Sequence, residues 1–331
     1  MNRPAPRLLS LLVLTLGLLT APTLLLAQAN RTQSAGSQTP NTETWKWNDL
    51  VNRPERWAPE VKLKESLEFQ DGSSVPAGAI LRVTRVMPRQ VEALLPDGAG
   101  VALEPNHTDL LEASNRYWQS LTPEQRAVDL AAISKDRTLL PPFVTTYVQL
   151  DFPKDVKKPG DEVIAADVVK QALHVWSMAD AQAIAIPPTQ TDLLVRARAL
   201  AALPLEQRQK APWLTDYAAA LEKAKEENRN VFLFFTGSDW CGWCMRLERE
   251  ILRMPEFADF AAENLVLVKL DFPRGFRLPA AQTKQNQQLA QQYGVRGYPT
   301  VVVLKPDGTV AGDLGYETGG PKPFIEKLQS L

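Results

Sequence analysis

Both cysteines of this 331-residue chain lie three positions apart, in VFLFFTGSDWCGWCMRLEREIL, residues 231–252. The run Val231–Phe235 is apolar at every position and too short for a helix, which fits a strand buried on both faces. From Cys241 onward the sequence reads as a helix, so both thiols fall where a buried strand hands over to a helix. A bridge between Cys241 and Cys244 would close almost no loop. It could restrict the unfolded chain only slightly, so structural stapling is a poor account of the pair.

The surrounding residues extend this grammar over 211–331. WLTDYAAALEKAKEEN (213–228) is an amphipathic helix, EFADFAAEN (256–264) a further helix, LVLVKLDF (265–272) a second buried strand, and TKQNQQLAQQYG (283–294) a helix ending at Gly294. YPTVVVLKPDGTVAGDLGY (298–316) makes two strands around an Asp307-Gly308 turn, and PKPFIEKLQS (321–330) closes with a helix. Buried strands alternating with helices, then a hairpin and a helix, predict a mixed sheet flanked by helices.

In that setting the C-x-x-C pair has a specific chemistry. Cys241 would sit at a helix N-terminus, where unpaired backbone N–H groups and the macrodipole favour a thiolate. The dipole supplies at most ~2 kcal/mol and one pKa unit is about 1.4 kcal/mol, so it lowers a thiol from ~8.5 by about one unit. Cys244, one turn further in, could attack a mixed disulfide formed on Cys241. Cys241 is therefore the expected exposed nucleophile and Cys244 the resolving thiol. A zinc site would need about four ligands. The only histidines, His107 and His174, stand alone far upstream, so neither metal nor cofactor is expected. An inert buried pair is the other reading.

VFLFFTGSDWCGWC, LVLVKLDF and YGVRGYPTVVVLKPDGTV, taken together, resemble the thioredoxin superfamily over about Pro212–Leu331, and most nearly its secreted bacterial members with a DWCGWC motif. The resemblance implies a thioredoxin fold and thiol–disulfide exchange. It implies that Pro299 is the family's cis-proline facing the cysteines, with the backbone of Tyr298 pairing to an extended substrate. Trp240 matches the tryptophan that precedes the first cysteine, and Gly242 and Trp243 complete the substrate side. The family places a buried aspartate on the strand before the motif; here Phe234 or Phe235 occupies that position. Lys269 matches the aspartate's partner lysine, which leaves Asp239 and Lys269 as candidate modulators of the thiol pKa. Gly242-Trp243 replaces the usual Gly-Pro, and PRGFRLPAAQ (273–282) lengthens a loop.

Upstream, residues 1–29 read as an export signal: Arg3 and Arg7, an apolar run Leu8–Leu26, and a small-x-small site at Ala27–Ala29. An uncleaved membrane anchor is the alternative. Either reading places the protein outside the cytoplasm, in the periplasm or secreted. Residues 30–44 lack large apolar side chains and read as a disordered linker.

Residues 45–137 and 138–210 read as two copies of one unit, a small all-β barrel followed by a helix. GVALEPNHTDLL (100–111) is echoed by AIAIPPTQTDLL (183–194), and LTPEQR (121–126) by LPLEQR (203–208). The strand rhythm resembles bacterial Src-homology-3-like domains. The architecture expected is thus multidomain, two barrel-plus-helix units followed by an α/β thioredoxin fold at 211–331.

A net charge of −1 with no long basic run argues against nucleic acid as a partner. The expected activity is that of an exported thiol–disulfide reductase or isomerase acting on protein disulfides and recharged by a membrane electron donor. The β units would dock a partner or a second copy, and the C-terminal section would fold alone. A non-catalytic scaffold that keeps the fold for recognition is the rival.

Overall fold

The computed structural model describes Thr44–Leu331 apart from Asp71 and Lys210. The expected signal, and the linker up to residue 43, lie outside the described residues.

The C-terminal section is built on a five-stranded sheet. In spatial order its strands are Trp213–Leu214, Leu265–Asp271, Asn230–Thr236, Thr300–Leu304 and Val310–Leu314. The first three run parallel and the last two antiparallel. The central strand is apolar throughout because both its faces are covered. Phe232 and Phe234 pack with Cys241, Cys244, Leu247 and Ile251 on one side. Val231, Leu233 and Phe235 meet Ala220, Ala224 and Leu289 on the other. The helix Tyr217–Glu227 is capped by Asp216, whose carboxylate accepts the Ala219 N–H, and ends at Asn228 in the left-handed region, φ 52°.

The helix carrying the cysteines departs from a simple amphipathic helix. It is α-helical over Gly242–Leu247 and then widens into a π-helical turn, Glu248–Leu252, in which the Arg253 N–H reaches back five residues to the Glu248 carbonyl at 2.9 Å. Such a turn inserts a residue into the helical register and redirects the side chains after it.

The two upstream units share one element order. Each has a four-stranded antiparallel sheet and a separate two-stranded ribbon, rather than the single barrel the rhythm suggested. Short 3-10 turns at Pro105–His107 and Pro188–Gln190 lead into helices Leu110–Ser120 and Leu193–Ala201. Equivalent isolated bridges, Leu63 with Thr108 and Thr146 with Thr191, return the chain to the first strand of each unit. The sequence reads as a helical stretch from about Asp109 to Lys135, with Thr122 as N-cap and Pro123 at the first helical position of its second part. The structure divides it into Leu110–Ser120, Pro123–Arg126 and Leu130–Lys135. Thr122 caps the middle piece in a full capping box with Gln125. Val128 and Ile133 pack into the second unit's core, so that core begins before residue 138.

The second unit is joined to the cysteine helix through buried polar side chains. Arg253 donates to the carbonyls of Ala165 (3.3 Å), Ala166 (3.2 Å) and Leu140 (3.4 Å). Burial pushes its guanidinium down to about 10. Trp176 donates its indole N–H to Glu250 at 2.9 Å. A period-based reading sees apolar stripes and passes over this junction, which is made of arginines, a carboxylate and an indole.

Candidate active site

Cys241 and Cys244 form a disulfide, with Cα atoms 5.2 Å apart, at the start of the Gly242–Leu247 helix. Cys241 is the N-cap residue, and its sulfur accepts the Cys244 N–H at 3.1 Å. That N–H is one of the donors a helix N-terminus leaves without an intrahelical partner, so the backbone presents it to whatever charge develops on Cys241. Cys241 is only 5% exposed, against 1% for Cys244. The expected exposed nucleophile is thus mostly covered in the disulfide state, because it packs in a cluster flanked by Trp240 and Tyr298.

The loop before the pair is fixed by short-range chemistry. Asp271, at the end of its strand and 9% exposed, accepts the Ser238 N–H at 2.9 Å and the Ser238 hydroxyl at 2.6 Å. Trp240 folds back over Gly237, where an added Cβ would lie 2.4 Å from the indole, so no larger residue fits. The Trp240 indole N–H donates to the Phe272 carbonyl at 2.7 Å, and its ring meets Tyr298 edge-on at 5.6 Å.

Tyr298 and Pro299 are joined by a cis peptide bond. Thr300, directly after them, pairs in register with Phe235. This places Tyr298-Pro299 on the same sheet edge from which the cysteine loop departs.

The candidate pKa modulators take other partners. Asp239 is fully exposed and accepts the backbone N–H groups of Gly275 and Arg274. Gly275 first, then Arg274, holds its carboxyl below the usual range. With the Arg274 guanidinium 3.7 Å above the Trp240 ring, these bonds stitch the lengthened 273–282 loop to the cysteine loop. Asp239 is therefore a loop clamp. Lys269 pairs with Glu248 of the cysteine helix, Nζ to Oε2 3.4 Å. Glu248 was not anticipated. An acid is present after all, but it comes from the helix rather than the strand. Both side chains are about 30% exposed, 30% for Lys269 and 31% for Glu248, so solvent screens the pair. The strand position left open between two phenylalanines is Phe234, which packs in the cluster holding both cysteines and pairs in register with Lys269.

Trp243, between the cysteines, is 58% exposed and lies against Tyr316 at 5.6 Å and Arg246 at 5.2 Å. Behind them is Glu250, 1% exposed, which accepts hydrogen bonds from Arg246, Trp176 and Tyr316. Burial first, then the bond to Glu250, pushes the Tyr316 phenol well above its ordinary value. Sequence reasoning passed over Glu250, Tyr316 and Trp176. The one available signal was helical spacing, since Trp243, Arg246 and Glu250 follow one another at three and four residues.

Residues 212–306 match the family described as thioredoxin-like. The disulfide bond reductase DsbH of Chlamydia pneumoniae is 40% identical over 114 residues, spanning 34% of this chain and 69% of that protein. The thioredoxin-related protein DsbJ of the same organism is 30% identical over 110 residues, covering 32% of each chain. A solved DsbH oxidoreductase structure shares 39% identity, covers 36% of this chain and 83% of its own, and superposes with a TM-score of 0.35. Through its C-terminal section the chain belongs to the thioredoxin-like family and is a thiol–disulfide oxidoreductase.

Proposed function

We propose that the protein is an exported reductase or isomerase of protein disulfides, working through Cys241 and Cys244. The observation that carries this reading is the Cys241 sulfur held against the Cys244 N–H at a helix N-terminus. In the reduced protein the Cys241 thiolate attacks a substrate disulfide, forms a mixed disulfide and expels one substrate thiolate. Cys244, losing its proton, attacks the Cys241 sulfur and expels the second. Two electrons pass to the substrate, both substrate sulfurs end as thiols, and the Cys241–Cys244 bond remains.

Tyr298 and Pro299 would receive the extended substrate segment, with Trp240, Gly242 and Trp243 forming its surroundings. A reductive direction fits the local chemistry. Strong oxidants of this type acidify the nucleophile through nearby positive or imidazole groups, whereas Gly242-Trp243 supplies neither and Lys269 is engaged with Glu248. The potential is then expected nearer about −270 mV than about −120 mV. In an oxidising compartment such a protein needs a membrane electron donor. The N-terminal residues, read as a signal, supply the export, and the paired β units are read as Src-homology-3-like.

Insulin reduction with dithiothreitol as electron source tests the activity. Wild type should accelerate it and the Cys241→Ser/Cys244→Ser protein should not; equal rates would favour a recognition scaffold. Equilibration against glutathione tests the direction, and a midpoint above about −150 mV would make the protein an oxidase.

A further inference from the structure

The contact between the second β unit and the cysteine helix reaches the two groups, Arg246 and Tyr316, against which Trp243 rests between the cysteines. Trp176 stands on the strand Ala172–Ser177 and donates its indole N–H to Glu250 Oε1 at 2.9 Å. Arg246 donates Nε to the same oxygen at 3.0 Å, and Tyr316 donates its hydroxyl to Oε2. The Arg246 guanidinium lies 4.9 Å from the Tyr316 ring, 5.2 Å from Trp243 and 5.9 Å from Trp176. Arg249 also lies over Trp176, its guanidinium 4.2 Å from the ring. Trp176 is thus gripped by two arginines and one carboxylate, all from the cysteine helix and its π-helical turn.

A carboxylate this deeply buried is tolerated only when its oxygens are satisfied. Glu250 meets that need with one donor from its own helix, one from the segment after the last strand and one from another domain. Loss of the Trp176 donor leaves the full demand on Arg246 and Tyr316, the two groups against which Trp243 rests. Trp243 lies between the cysteines and is mostly exposed. A polypeptide whose disulfide reaches Cys241 must pass against it.

We propose that the second β unit is a working part of the redox site. Trp176, acting through Glu250 and Arg246, positions Trp243 as one wall of the surface that receives protein disulfides. Trp176, Glu250 and Arg246 are positioning residues, not catalytic ones. The inference rests on the reading of Cys241 and Cys244 as the working dithiol.

Trp176→Phe in the full chain tests it, since it keeps a six-membered aromatic ring while removing the indole donor together with the five-membered ring that carries it. For insulin, KM should rise about five- to tenfold, the equivalent of about 1 to 1.4 kcal/mol and within the range for one ordinary hydrogen bond, with kcat within about twofold. Turnover of oxidised glutathione, which has no long polypeptide segment to lay along the Trp243 wall, should change much less. Arg246→Lys keeps the charge but loses the flat stacked group, and should raise KM in the same way. Glu250→Gln should also raise KM, and adding Trp176→Phe to it should have little further effect, because the two act in one chain of contacts. An unaltered KM for insulin in Trp176→Phe and Arg246→Lys overturns the proposal. So does an equal loss with insulin and glutathione, which would mark a merely structural role. If the wild-type protein reduces neither disulfide, the functional reading fails instead.

Discussion

The two β units repeat one element order, yet they occupy unlike places in the molecule. In the first, Leu94 pairs with Arg82; at the matching ladder position of the second, Trp176 pairs with Ile164. The scaffold positions agree closely: buried Val91 and Ala93 correspond to buried Leu173 and Val175. The positions that face out of each unit's own core have diverged. Leu94 lines a cleft between the units with Arg82 and Tyr147, whereas Trp176 reaches the cysteine helix. A repeat preserves what its own core requires, and leaves the outward side chains to be set by whatever each copy faces.

Each unit junction uses an arginine, and these two residues give the sharpest test of that contrast. Arg198, 2% exposed, links the units by donating to the carbonyls of Gln125 and Glu55 and to the Tyr117 hydroxyl. Arg253 links the second unit to the cysteine helix. Replacing either with Ala strands several buried carbonyls and should cost about 3 kcal/mol in urea unfolding. Only Arg253→Ala should also raise KM for insulin. A comparable kinetic defect in Arg198→Ala would mean that the first unit takes part in the redox site too.

A smaller effect compares the matched strand positions. Leu94→Ala should lower stability by about 2 kcal/mol, as expected for trimming a mostly buried leucine, and leave insulin reduction untouched. Set beside Trp176→Phe, it separates loss of packing from loss of positioning. A kinetic defect in Leu94→Ala would erase the distinction between the copies.

The least costly test concerns the loop clamp on the opposite flank, which neither β unit is seen to touch among the described hydrogen bonds. The Asp239 carboxyl is held below its ordinary value of 3.8, so its clamping contribution is present above that pH. It is lost as pH falls through the lower folded-state value. Fluorescence of Trp240, which lies under Arg274, should hold steady down to the ordinary aspartate range and change only below it. Asp239→Asn should abolish that acid transition while sparing insulin reduction at neutral pH. A transition well above pH 3.8 in wild type would show that the clamp does not hold in solution.

Much of the molecule was legible in the sequence. The buried central strand declared itself because both faces of that strand are covered, so Val231–Phe235 carries no polar residue. The N-cap at Thr122, ahead of Pro123, could be read because capping is local. The paired cysteines marked the site because their spacing places them one helical turn apart. The repeat was visible because equivalent cores demand equivalent side chains at a nearly constant offset. The barrel expectation was less secure, since strand rhythm fixes alternation but not how a sheet curves or which edges pair.

Only the tertiary structure decided which charges and indoles meet. Glu248 replaces the expected strand acid as the partner of Lys269, from a helix whose register no short motif specifies. Asp239 became a loop clamp because the lengthened loop folds back over it. Trp176 and Glu250, 74 residues apart, form a bond that depends on how the strand Ala172–Ser177 packs against the cysteine helix and on a π-helical turn that redirects one side chain. Sequence spacing encodes periodicity along the chain. It holds no comparable record of contacts between polar groups that are distant along the chain, because such contacts are set by where whole elements come to rest.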